Sequence, residues 1–98
     1  MLKSKAIVLL AKIILRPNQN FVDRRISGIC PSFNYMDQLV ACEITTVDGS
    51  EWIEVGEEQT VWVKLFYGEE LGWDLPVGTT FLLNVGGLVV GEGKVLDS

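Results

Sequence analysis

The sequence predicts an all-β fold, a sandwich or a barrel, from three observations. Its apolar runs are short and rich in β-branched residues. Turn signals punctuate them at fairly regular intervals: Arg16-Pro17-Asn18, Ser27-Gly28, Asp48-Gly49, Val55-Gly56-Glu57, Tyr67-Gly68, Pro76-Val77-Gly78 and Gly86-Gly87. No window holds a helical period over three turns, and this combination is that of strands packed on strands.

The elements follow in order. A first strand covers roughly Lys5–Leu15. Asn18–Ser27, which holds Arg24 and Arg25, reads as a polar loop. A second strand covers about Ile29–Tyr35 and a third Leu39–Thr46. Glu54 and Glu57-Glu58 around Gly56 read as a solvated turn. In the strand Thr60–Phe66, Val61, Val63 and Leu65 share one face, and Thr60, Trp62, Lys64 and Phe66 the other. Apolar residues stand on both faces, which predicts partial cover on both. Phe81–Val85 and Leu88–Val95 are the last two strands.

The glycines of Phe81–Val95 (FLLNVGGLVVGEGKV) raise the question of a phosphate loop. A dinucleotide site needs Gly-x-Gly-x-x-Gly between strand and helix, and a P-loop ends in Gly-Lys-Ser/Thr. Here the order is G-G-x-x-x-G-x-G, then Lys94-Val95. Two glycines between two β-prone runs fit a two-residue hairpin instead, because its turn needs positive φ. Gly91 and Gly93, on one face of the second strand, leave room for a close neighbour.

At 98 residues the chain is read as one domain, 1–98, large enough for a single core. The composition, 48% hydrophobic and 21% charged, is that of a globular protein. Net charge is −5, and its distribution is uneven. Residues 1–25 carry six cations, Lys3, Lys5, Lys12, Arg16, Arg24 and Arg25, against Asp23 alone. Residues 26–98 carry Lys64 and Lys94 against twelve carboxylates. An acidic surface keeps a protein soluble and steers basic partners; it argues against nucleic acid as the partner. Cys30 and Cys42 form no metal motif or disulfide framework, which fits a cytoplasmic protein with reduced, buried structural thiols. The apolar run AIVLL is too short to span a membrane, and Lys12 interrupts it.

Two stretches carry a family resemblance. Phe81, Leu82-Leu83, Gly86-Gly87, Val90-Gly91 and Gly93 are similar to the closing motif of the C-terminal domain of elongation factor Tu. Gly28-Ile29-Cys30-Pro31-Ser32-Phe33-Asn34-Tyr35 resembles that family's Gly-x-x-Pro-x-Phe core. Weaker pieces fall in the same order: Ala11–Leu15, Val55-Gly56-Glu57 and Leu75-Pro76-Val77-Gly78. The resemblance implies a six-stranded antiparallel β-barrel of Greek-key type, standing without the GTPase domain and binding no nucleotide. In the family this domain helps hold the T-stem of aminoacyl-tRNA. This chain departs where the family carries charge: Ile29-Cys30 replaces Tyr-Arg, Asn84-Val85 replaces Arg-Glu, and Leu88 replaces an Arg. The barrel is expected with a different surface.

Catalytic chemistry finds little to work with. There is no His, so the usual base near neutral pH is missing, as are a standard serine triad and His-based zinc sites. The acidic pairs Glu57-Glu58, Glu69-Glu70 and Asp48/Glu51 sit at turn signals and read as solvated charge. Trp52 and Trp62 read as core or half-core residues. Trp73 differs, because it lies in the acidic loop GEELGWD.

The expected function is therefore that of a non-enzymatic, monomeric protein-binding module with no cofactor and no metal. Its partner face is expected on Glu54, Glu57, Glu58, Glu69, Glu70, Trp73 and Asp74, loops being the usual carriers of function. An immunity or antitoxin protein covering a basic nuclease toxin is one alternative. A translation-associated RNA-binding protein, resting on Arg16, Arg24 and Arg25, is another.

Overall fold

The computed structural model describes residues 7–17, 24–66 and 75–97. Among them are eight strands: β1 (Ile7–Leu15), β2 (Arg24–Ile26), β3 (Ser32–Tyr35), β4 (Gln38–Thr46), β5 (Trp52–Glu54), β6 (Gln59–Leu65), β7 (Thr80–Val85) and β8 (Leu88–Asp97). Six close into a barrel in the order β1-β6-β4-β3-β7-β8, with β8 returning to β1. Every pair in it is antiparallel. No helix among the described residues is long and apolar enough to cross a membrane.

Strand periodicity builds the interior. Leu9, Ala11, Ile13 and Leu15 alternate inward along β1, and Val61, Val63 and Leu65 do so along β6. Phe33, Ile44, Leu83 and Val95 fill the space between them, and Phe33 stacks on Phe81 with centroids 4.4 Å apart. The other face of β6 corrects an expectation. Thr60, Trp62 and Lys64 stand exposed on the barrel's outer wall, Trp62 between Leu10 and Thr45 of the neighbouring strands. A barrel covers only one face of each strand, so the apolar residue outside is surface. Phe66 is half-buried, with the Lys64 ammonium 5.5 Å from its ring centre.

The Gly86-Gly87 hairpin is present, with φ of 55° and 88° as a type I′ turn requires. A register shift after Leu83 inserts one extra residue into β8, so that Leu83 faces Gly91 and Asn84 faces Val89. Asn84, buried by this bulge, accepts a hydrogen bond from the Asn34 amide at 3.2 Å.

A second two-residue turn escaped the glycine signals: Met36 and Asp37, with φ of 52° and 63°, join β3 to β4. L-residues with side chains are strained there. Met36→Asn with Asp37→Gly should raise stability by about 1 kcal/mol, read as a higher urea midpoint.

The stretch expected to be a loop before Gly28 contains β2, and β2 pairs with the equally unexpected β5. Three-residue strands are too short to show a period, so only the pairing reveals them. Their ribbon lies at one end of the barrel. Ile53 is fully buried there. The Gly56 N–H donates to the Leu15 carbonyl at 2.8 Å, and the Gly28 N–H to the Ile44 carbonyl at 2.7 Å.

Candidate functional site

The ribbon end of the barrel is where acidic and aromatic residues converge. The turn Asp48-Gly49-Ser50 leads into β5. Asp48 Oδ1 accepts from the Ser50 N–H at 2.9 Å, the Thr46 hydroxyl donates to the Ser50 carbonyl at 2.6 Å, and Gly49 takes a φ of 80°. On the side facing β2, the Glu51 carbonyl accepts from the Ser27 N–H at 2.8 Å. Alternation then turns the backbone groups of Trp52 and Glu54 away from β2. Side chains meet them there. The Glu54 N–H donates to Gln59 Oε1 at 3.2 Å, and Gln59 Nε2 donates to the Glu54 carbonyl at 2.7 Å. Ser50 Oγ accepts from the Trp52 N–H and donates to its carbonyl, both at 3.4 Å. A shallow groove runs along this edge, lined by Thr46, Val47, Asp48, Trp52, Glu54 and Gln59 among others.

Asp48, Glu51, Glu54, Glu57 and Glu58 are all exposed here. Glu58 forms an ion pair with Lys12 at 3.4 Å. Residues 26–63 contain no Lys or Arg, although β2 sets Arg24 in register with Glu54. Trp52 is 37% exposed and Val47 45%. Trp52 and Trp62 are thus surface residues, where the sequence had suggested core or half-core. Of the expected partner-face residues, Glu54, Glu57 and Glu58 are exposed; Glu54 lines the groove, while Glu58 lies beside Lys12 and Lys94. Glu69, Glu70, Trp73 and Asp74 lie outside the described residues. Asp48, Glu51 and Trp52 belong to the same end, where the sequence reads the first two as solvated charge and Trp52 as core or half-core rather than as partner face. The signal that could have found them is the cation-free run from 26 to 63.

Among the described residues no group of three or more His, Cys, Asp or Glu side chains could hold a metal ion. The two thiols differ. Cys42 is buried and donates to the Pro31 carbonyl at 3.3 Å. Cys30, expected to be buried, is exposed. It lies between Ile29, which bridges to Ile44, and Ser32, which pairs with Ala41, and this alternation turns it out of the barrel. Burial, and to a lesser degree the charge of the nearby Cys30, pushes the Cys42 thiol up to about 12. The unfolded thiol, near 9.0, ionises first as pH rises, so this stabilising contribution is complete below pH 9 and drains away between pH 9 and 12. The urea midpoint of the parent should therefore fall more steeply over that range than that of Cys42→Ala. In the folded protein iodoacetamide should modify Cys30 and spare Cys42.

Compared with protein-family models, the chain matches none. Compared with curated proteins, it likewise matches none.

Proposed function

We propose that this chain is a non-enzymatic protein-binding module that recognises a basic partner through the ribbon end of its barrel. The observation that carries the reading is the groove in which the exposed Asp48 and Glu54 flank the part-exposed Trp52, within a sequence run, 26–63, that holds no Lys or Arg, although Arg24 stands opposite Glu54 across the ribbon. Rim carboxylates speed encounter with a basic surface, while an aromatic supplies affinity. The absence of His from the sequence supports a role in binding over one in catalysis. The resemblance of Gly28–Tyr35 and Phe81–Val95 to the C-terminal barrel of elongation factor Tu supplies a scaffold for such a role and leaves its surface free to vary.

Two cations of the basic N-terminal quarter already face carboxylates: Lys12 meets Glu58 at 3.4 Å, and Arg16 meets Glu92 at 3.7 Å. That weakens their claim on RNA phosphates and favours the basic protein partner. A basic nuclease toxin met by an immunity protein is one instance of this class.

The test is affinity capture from an extract of the source cell, with the parent and with an Asp48→Lys, Glu51→Lys, Glu57→Lys variant whose fold is verified by circular dichroism. The parent should retain a basic protein that the variant releases and that salt elutes. Equal retention by both proteins sinks the reading.

A further inference from the structure

We propose that the outer edge of β5 is a docking edge, where an extended Lys- or Arg-bearing segment of a protein partner adds as a strand beside Trp52–Glu54 in place of the Gln59 and Ser50 side chains. This inference rests on the protein-binding function proposed above and names how the partner is held.

Among the described residues β5 has one strand neighbour, β2. On its other side Trp52 and Glu54 present N–H and C=O groups two residues apart, the spacing at which an antiparallel strand forms its paired bonds. What meets them is side chain rather than strand. The Gln59 carboxamide offers one donor and one acceptor to Glu54, as a peptide group of an added strand would. The Ser50 hydroxyl does the same for Trp52, at a longer 3.4 Å. Both can be exchanged for peptide groups while the side chains turn to water. The edge itself is held firm, because Ile53 between them is fully buried. Main-chain bonds of this kind supply affinity in strand addition, and the flanking side chains supply selectivity.

The flanking side chains select for cations. Asp48 and Glu54 line the groove with their carboxylates, while the exposed Val47 beside them offers apolar surface to the stem of a lysine or arginine. A second copy of the chain is a poor occupant, because two such edges would bring their carboxylates together. The plainer role of Gln59 and Ser50 is to shield the edge from chance pairing. The two roles differ in whether a strand can displace the shield.

The experiment is an NMR titration of the ¹⁵N-labelled chain with a capped ten-residue peptide of alternating lysine and threonine, and with the same peptide N-methylated at alternate residues. The methylated peptide keeps the charge and loses half its backbone donors. The plain peptide should shift the Trp52 and Glu54 amides saturably and slow their hydrogen exchange. The methylated peptide should bind at least about tenfold more weakly, main-chain bonds being what holds an added strand. Gln59→Ala, which removes the competing carboxamide, should tighten the plain peptide and leave the methylated one unchanged. Equal binding of the two peptides overturns the docking edge and leaves the basic-partner reading standing. Failure of either peptide to move any resonance from 48 to 58 at low salt counts against both. Self-association of the chain with the same amides protected assigns the edge to a second copy and overturns the proposal.

Discussion

Phe33→Ala should cost the barrel about 3–5 kcal/mol, the range for emptying a buried aromatic site. Phe33 is fully buried inside the closed sheet, its ring 4.4 Å from that of Phe81 and inclined to it by 26°. Antiparallel strands close around it, so the wall cannot collapse inward without breaking a ladder. A domain of this size has about 5–15 kcal/mol in total, so the variant should populate unfolded chain readily. Equilibrium urea unfolding measures the loss. Phe33→Leu, which keeps most of the volume, should lose less than half as much. An outer-wall change such as Trp62→Ala should cost much less than Phe33→Ala. Equal losses for Phe33→Ala and Trp62→Ala would mean that the ring is not a core element.

Gly93→Ala should have the second largest effect, about 1–3 kcal/mol, by overpacking rather than by a void. A Cβ at position 93 would stand 2.3 Å from Phe81 Cζ, 2.7 Å from Cε1 and 2.9 Å from Ile13 Cγ2. The Phe81 ring cannot swing aside, because Phe33 stacks against it. Phe81→Leu removes the ring atoms that clash, so the double variant should be more stable than the two single losses added together. The coupling in such a cycle is expected between about 0.5 and 3 kcal/mol. If the losses simply add, the ring and position 93 do not share space.

These two sites also show how far the sequence could be read. Gly86-Gly87 between apolar runs announced its turn, because two positive φ angles in a row leave little choice of residue. Gly93 was legible as a point of close approach; that Phe81 is the neighbour follows only from the register of β7 on β8. Met36-Asp37 forms the same kind of turn with no glycine, so composition could not flag it. Trp62 looked coverable on periodicity alone. Its exposure depends on whether a second layer exists outside the strand, which a closed barrel does not provide. The ribbon of β2 and β5 was missed, since each strand is recognised only through the other. For the same reason the docking edge could not be anticipated. Glu54 and Gln59 are five residues apart, and nothing in their order says that one side chain will sit on the other's backbone.

β1 lies between β6 and β8, and neither of its neighbours precedes it in the chain. During synthesis the apolar segment Ile7–Leu15 therefore leaves the ribosome before either of its barrel neighbours. Even when β6 has emerged, β1 still shows one open edge until β8 is made. Such a segment, β-prone and carrying one charge in nine residues, is an aggregation hazard while it waits. A chain released early, after residue 87, would keep that hazard for good. Completion of β8 is the step that turns a sticky nascent chain into a barrel without edges.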